Sequence, residues 1–530
     1  MTQQTLSPAF QSLPSELISA ICNLLPNRDV KNLRLTYRYL RDKSPLRFNR
    51  VYISANPRNI EVLTAIANHD VFRHRVKEII WDDATLKSIP DRDGDGPCGY
   101  SADERDPDDL AANEDKEWIS RRFVQLCKES IFLTSSRLEQ KYGQQGDNDS
   151  EEQRQLDNLM PSRDSIAYWN LLIKQQEAVL ESGADETAFR YAVQRFPRLN
   201  KVTVTPATHG YLFMPFYQTP MIRAFPSGFV YPLPRGWPSD ERLGYDRPDG
   251  YPEGWENYEE RKQWHGFCIV TKVLAEYAET LQISELALDS HKLPTGIDCS
   301  FFENPNVEYD NLCKIFEQPD FKSFTLSLIT AYVADLDVED WDFYRDGRIS
   351  SLLARAPDLE RFVFQTDYWN GFGGVSTEDF VSFLDMFPIV KWSTGKLKHF
   401  GLFGMQVTQD DLISFLAKLP STLESVELSF LSMVEGSNYA GLLRDIRDKL
   451  GWRHRPSSQR IHVGISVPPV NIDGFGRYIC LDKEVHEYIY GDGPSPFHIS
   501  GGIPASLIPS GTGIVQDEFD PNLRNSDGKR

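Results

Sequence analysis

Three carboxylates at alternate positions are the strongest chemical cue in the chain. Asp91-x-Asp93-x-Asp95-Gly96 matches the first half of an EF-hand calcium loop, where alternate acids supply oxygen ligands and glycine permits a sharp turn. The second half departs from that pattern. Ala102 stands where the loop needs a bidentate glutamate, and Pro97 follows the glycine. A solvated acidic loop is the simpler reading, and no metal site is expected. A second acidic group, Asp335, Asp337, Glu339, Asp340, Asp342 and Asp346, lies among aromatics as a glycosidase pair would. Nothing in the sequence fixes two of these at a defined separation. The glycines of "NGFGGVS" at 370–376 lack the spacing of a dinucleotide fingerprint and the lysine of a phosphate loop, which leaves a turn. No H-E-x-x-H or G-x-S-x-G occurs, and His69 and His74 read as surface or packing residues. Neither a catalytic residue nor a cofactor is expected.

Composition narrows the partners. The chain has 530 residues and a net charge of −20, a field that repels phosphate backbones, so nucleic acid is not an expected partner. The seven cysteines, at 22, 98, 127, 268, 299, 313 and 480, form no C-x-x-C pair, which suits a reducing compartment. Apolar runs are short and broken by charge, so no membrane span is expected, and no secretory leader is seen. The expected location is cytoplasmic, nuclear or both.

The elements that could position a binding surface begin at 13–42, "LPSELISAICNLLPNRDVKNLRLTYRYLRD". Leu17, Ile18, Ile21, Leu24 and Leu25 recur at helical spacing, and Pro26 stops the helix. Asn27 can cap a second helix with Asp29 in its first turn, and Val30, Leu33, Tyr37 and Leu40 continue an apolar stripe. So short a unit cannot enclose that surface alone. The order Leu13-Pro14-x-Glu16-Leu17-Ile18-x-x-Ile21, then Leu24-Leu25-Pro26-x-x-Asp29-Val30, then Leu33-Arg34-x-Thr36-x-Arg38-x-Leu40-Arg41 resembles an F-box of the filamentous-fungal type. Tyr37 and Leu40 depart mildly from the family, which often has a cysteine or serine and a tryptophan there. The match covers about residues 12–45, the box is placed at 12–50, and "PLRFNRVYIS" at 45–54 resembles the segment that often follows it. It implies docking on a Skp-type adaptor, and through it on cullin and RING subunits. Leu13, Pro14, Glu16, Leu17, Ile18, Ile21, Leu24, Leu25, Asp29, Val30, Leu33 and Leu40 would contact the adaptor or form the box's own core.

Beyond the box an apolar-x-x-apolar-x-apolar pattern recurs at Val76/Ile79/Trp81, Leu199/Val202/Val204, Ile283/Leu286/Leu288 and Phe321/Phe324/Leu326. It continues at Leu359/Phe362/Phe364, Leu397/Phe400/Leu402, Leu423/Val426/Leu428 and Ile461/Val463/Ile465. Leu286, Phe324, Phe362 and Phe400 are each 38 residues apart. The alternating pair at each site suits a strand with one buried face. Helical segments intervene, with Ser376 and Thr408 at capping positions and Gly451 as a terminator.

The expected fold class is therefore α/β (α+β): a three-helix F-box, then an irregular strand–helix array over 51–490 that resembles a degenerate leucine-rich-repeat solenoid. The period exceeds the usual range of about 20–29 residues, and the asparagine ladder is missing. Insertions are expected at 82–116, at 142–165 as a polar mobile loop, and at 205–264. Residues 1–11 and 491–530 read as irregular or disordered. The 205–264 insertion is rich in proline and aromatics, and Trp237, Trp255 and Trp264 are its candidate anchors for a protein substrate. The alternative is that these rings cap the array's own core. The function expected from the resemblance is substrate recognition in a cullin–RING ubiquitin ligase, without catalysis by this chain.

Overall fold

A computed structural model describes residues 13–25, 27–44, 46, 48–89, 120–142, 150–238, 255, 257–329, 332–333, 338–339, 342–367, 381–434, 436–469, 476–498 and 508–520. The Asp91–Asp95 motif, the glycines at 370–376, Ser376, Cys98 and most of the acidic group at 335–342 lie outside these residues.

Helix and strand are mixed, and a large parallel sheet dominates. Its strands are β1 (Arg50–Ile53), β2 (Glu78–Asp82), β3 (Lys201–Thr205), β4 (Glu285–Leu288), β5 (Ser323–Ile329), β6 (Arg361–Thr366), β7 (His399–Phe403), β8 (Ser425–Ser429) and β9 (His462–Gly464). These nine lie side by side in chain order, and a short tenth strand at Ile297–Asp298 pairs beside β5. Val51, Ile79, Val202, Leu286, Phe324, Phe362, Phe400, Val426 and Val463 occupy one rung across the whole sheet. Every middle residue of the sequence pattern is on that rung. β1 adds a member that the pattern did not include. The entry to each strand repeats one bond: the Lys201 N–H donates to Lys77, Glu285 to Asn200, Ser323 to Ser284, Arg361 to Lys322 and His399 to Glu360.

Alternation along each strand divides the sheet into two faces. The rung residues face a layer of helices. It includes α4 (Pro57–Asn68), α8 (Ala184–Val193), α9 (His265–Glu276), α10 (Val307–Phe316), α11 (Gln409–Leu416), α12 (Tyr439–Lys449) and α13 (Asp482–Tyr490), and all share one hydrophobic core with the strands. Phe316, Phe324, Phe362, Phe387, Phe400 and Phe415 are wholly or almost wholly buried within it. Caps set the helix ends. The Asn306 side chain accepts from the Tyr309 N–H at 2.8 Å, Thr408 from the Asp411 N–H at 3.4 Å, and Asn438 from the Gly441 N–H at 2.7 Å. Gly451 takes the left-handed conformation (φ 69°) just past α12, as its position implied.

Between β2 and β3 run α5 (Arg121–Tyr142), α6 (Glu151–Asp157), α7 (Ser162–Ser182) and α8. The expectation of a mobile loop at 142–165 is corrected where the structure is described, at 150–165. Ser150 caps α6 by accepting from the Gln153 N–H at 3.1 Å, and Gln155 accepts from the Gly228 N–H at 2.6 Å. α6 has no fully buried residue; these polar ties hold it together with Leu156, which packs partly buried against an apolar cluster. The 491–530 tail is likewise more ordered than expected. Its residues Ile514–Asp517 form β12, antiparallel to β11 (Arg477–Cys480), which pairs in turn with β10 (Ser466–Val467), and Phe519 is fully buried.

The described part of the 205–264 insertion contributes mainly to the core. Its rings join a second apolar cluster with Leu86, Phe123 and Trp169, and a third with Leu138 and Phe519. One carboxylate ties it to the sheet. Asp83 accepts the Trp237 Nε1–H at 2.8 Å and the Gly266 N–H at 2.6 Å. Gly266 has to be glycine, because a Cβ there would stand 2.2 Å from Trp81 Nε1 and 2.6 Å from the Asp83 carboxylate.

Candidate functional site

Two surfaces carry the functional argument. The first is the N-terminal helical unit, α1 (Ser15–Leu24), α2 (Asn27–Thr36) and α3 (Arg38–Lys43). Ile18, Cys22, Val30 and Leu40 are buried as its own small core, with Leu13, Leu25 and Leu33 partly buried against them. The Tyr39 hydroxyl donates to the Leu13 carbonyl at 3.0 Å, closing α3 onto the start of the unit. Arg75 donates to the Leu46 carbonyl at 2.8 Å and holds the unit to the sheet. Ile21 is half-buried, and Pro14, Glu16 and Asp29 are exposed, with Ser15 Oγ donating to Glu16 at 3.3 Å. The twelve sequence candidates thus divide between core and surface.

The exposed apolar residues of the unit are the informative ones. Leu24 is 84% exposed, Leu35 85%, Leu17 50% and Tyr37 43%. Scattered single leucines on a surface need no explanation, but four large apolar side chains on a unit of three short helices form an unsatisfied surface. Leu35 was not among the candidates. Its signal was an apolar residue between Arg34 and Thr36, off the helical stripe.

The second surface is the sheet face turned away from the helices. Its first row runs Arg50, Glu78, Lys201, Glu285, Ser323, Arg361, His399, Ser425 and His462. The first four residues neutralise one another. Arg50 meets Glu78 at 2.6 Å, and Lys201 lies 3.5 Å from Glu78 and 3.9 Å from Glu285. Burial opposes ionisation of Glu78, yet Lys201 and Arg50 hold its pKa below the ordinary carboxylate range.

Further along the row the pairing stops. Among the described residues the Arg361 side chain makes no hydrogen bond or ion pair, and neither does that of Glu427 one row in. Solvent reaches Arg361, but its surroundings displace water and lower its pKa, against the pull of Glu427, Asp289 and Glu285. Burial raises the Glu427 pKa, with Lys292 acting the other way. Gly401, in register between Val363 and Glu427, has no room for a Cβ, which would stand 3.2 Å from both the Val363 and Phe403 side chains. This stretch of the face presents a fork of donors and a carboxylate to a polar partner.

His399 and Ser425 stand 2.7 Å apart through Nδ1 and Oγ, the contact a nucleophile and base would make. Burial and the Arg361 charge press the His399 pKa down to about 3, and its buried Nε2 has no hydrogen-bond partner to orient the ring. That imidazole is a weak base.

The C-terminal strand covers the rest of this face. Lys292 pairs with Glu518 at 2.9 Å and sits 4.6 Å from the Tyr478 ring centre. Arg137 meets Asp517 at 2.7 Å and lies over the Tyr211 ring at 3.6 Å.

The tryptophans expected as substrate anchors are not on any surface, and that expectation is corrected. Trp237, Trp255 and Trp264 are 1%, 5% and 0% exposed. Their indole N–H groups are already satisfied by Asp83, by Glu308 at 3.3 Å and by the Gly296 carbonyl at 3.0 Å. The alternative weighed from sequence, that the rings cap the array's own core, is the arrangement found. His69 is exposed and accepts from the Val71 and Phe72 N–H groups at 3.2 and 3.3 Å, a local turn contact. Six described cysteines are free thiols. Among the described residues no helix is long and apolar enough to cross a membrane.

No family model matches this chain, and no curated protein matches it either.

Proposed function

We propose that the chain is a substrate-recognition subunit of a cullin–RING ubiquitin ligase. In this reading the helical unit at 13–44 is an F-box and docks on a Skp-type adaptor. The observation that carries it is the set of exposed apolar side chains at Leu17, Leu24, Leu35 and Tyr37, on a unit whose order of residues resembles that box. Fully burying each would contribute roughly 1.5–3 kcal/mol, before the costs of association.

The in-register parallel array is read as a degenerate leucine-rich-repeat solenoid, whose successive strands present one continuous face. The stretch of face around Arg361 and Glu427 is then the surface offered to a protein substrate, in place of the buried tryptophans. Catalysis belongs to other ligase subunits, and this chain supplies proximity. The proposed location is the cytoplasm or nucleus. Affinity purification of the tagged chain tests the reading. Adaptor and cullin recovered together are expected, and adaptor without cullin would favour a scaffold that acts outside ubiquitination. Recovery of neither, from a soluble and folded chain, would overturn it.

A further inference from the structure

A groove of about 1510 Å³ runs between the helical unit, the start of the sheet and the aromatic insertion. It does not include Arg361 or Glu427 and does not depend on the ligase reading. Its floor includes Arg50, Val51 and Tyr52 of β1, the terminal strand, which among the described residues has a neighbouring strand on one side only. Its walls include Phe48, Phe213, Pro220 and Phe225, all partly buried.

Charge in the groove opposes that of the chain. Five cations (Lys31, Arg50, Lys77, Lys201 and Arg223) and three carboxylates (Glu78, Glu151 and Glu285) line it, in a molecule whose net charge is −20. Arg50 and Lys201 are engaged with Glu78. Lys31, Lys77 and Arg223 are exposed, and among the described residues their side chains make no hydrogen bond or ion pair. Three uncommitted cations of one sign thus ring an apolar slot beside a sheet edge.

One wall is held at a conformational cost. Phe213 has φ 62°, a left-handed conformation that glycine or asparagine adopts far more readily. It sits in a tight turn in which Tyr211 and Met214 exchange backbone hydrogen bonds of 3.1 and 2.8 Å. The turn would form more easily with glycine, but glycine would remove the ring from the groove wall.

We infer that this groove binds an extended acidic peptide, which adds as a strand beside β1 while its carboxylates meet Lys31, Lys77 and Arg223. Edge strands take up peptides in this way, with backbone bonds for affinity and side-chain pockets for selection. Cations beside an edge can also serve only to discourage pairing with other chains. The two roles separate in solution, because only the first gives saturable binding.

The test uses the full chain and a fluorescein-labelled ten-residue peptide alternating Glu and Val, read by anisotropy at low salt. Saturable binding is expected. It should weaken at least tenfold for the same peptide with alternate backbone nitrogens methylated, for a Lys–Val peptide, and in K31E/K77E/R223E. These three residues are exposed and unpartnered, so the variant should melt as the parent does. If it does not, a benzophenone-bearing Glu–Val peptide crosslinked to the parent should map to Phe48 or Phe213. Binding that is absent, insensitive to N-methylation, equal for the Lys–Val peptide or crosslinked elsewhere overturns the inference. So does displacement of the peptide by a purified Skp-type adaptor, which would assign the groove to the docking surface of the helical unit.

Discussion

Replacing Trp237 separates a structural role for the aromatic insertion from a binding role. The indole is 1% exposed, lies within the main core, and donates to Asp83 Oδ2 at 2.8 Å. Trp237→Phe keeps most of the ring but removes that donor. Asp83 is already pushed above the ordinary carboxylate range by burial, with Trp237 as the leading opposing influence. Leaving one carboxylate oxygen without its partner should cost about 1–3 kcal/mol. Trp237→Ala adds the cavity left by a buried ring, for a total of about 3–5 kcal/mol or more. The difference between the two variants therefore isolates packing from hydrogen bonding. Urea unfolding followed by tryptophan fluorescence and circular dichroism measures both. Costs below about 1 kcal/mol for the alanine variant, with its slope against urea unchanged, would refute the argument that the insertion is core.

Leu24→Asp with Leu35→Asp should abolish adaptor recovery and shift the melting temperature little, since both side chains are already in water; co-purification and a thermal melt read the two effects. Burial raises the Asp82 pKa to about 7, above its unfolded value, so the stability linked to its bound proton is full below about pH 4 and is lost as pH rises to about 7. Asp82→Asn should flatten the fall in unfolding free energy across that window, and equal slopes for variant and parent would contradict it. Asp517→Ala leaves the buried guanidinium of Arg137 (1% exposed) without its carboxylate and removes the one 3.5 Å from Arg477. It should cost about 3–5 kcal/mol in a denaturant titration.

The rung of the sheet was legible because it is purely apolar. Leu286, Phe324, Phe362 and Phe400 face a helix layer, and alternation with a fixed step is the pattern such burial imposes. β1 escaped because Val51 and Ile53 lie within the segment that trails the helical unit, with no preceding helix of the array. α6 escaped because nothing on it is fully buried: a single leucine, Leu156, packs inward, and Ser150 and Gln155 supply the rest of its anchoring. The tryptophans show the converse. Sequence marks an aromatic as valuable, but whether Trp237 faces a partner or Asp83 depends on a contact across 154 residues. The grouping around Arg361 was invisible for a similar reason. Arg361, Gly401 and Glu427 are ordinary residues far apart in sequence, and only strand register places them together.

The clasp of β12 over the polar face also sets a timetable for synthesis. Neighbouring strands follow one another in the chain, so each can pair soon after it emerges from the ribosome. Arg137 cannot find its carboxylate so early, because Asp517 is 380 residues further on. At about 5–20 residues per second that interval lasts roughly 20–80 s. During it a guanidinium destined for burial, and the aromatic patch around Tyr211 and Phe216 that Phe519 later seals, stay open to solvent and to chaperones. Arg137 and the rings of Tyr211 and Phe216 therefore reach their buried positions only after residues 514–520 have been made, long after the sheet strands they lie beside.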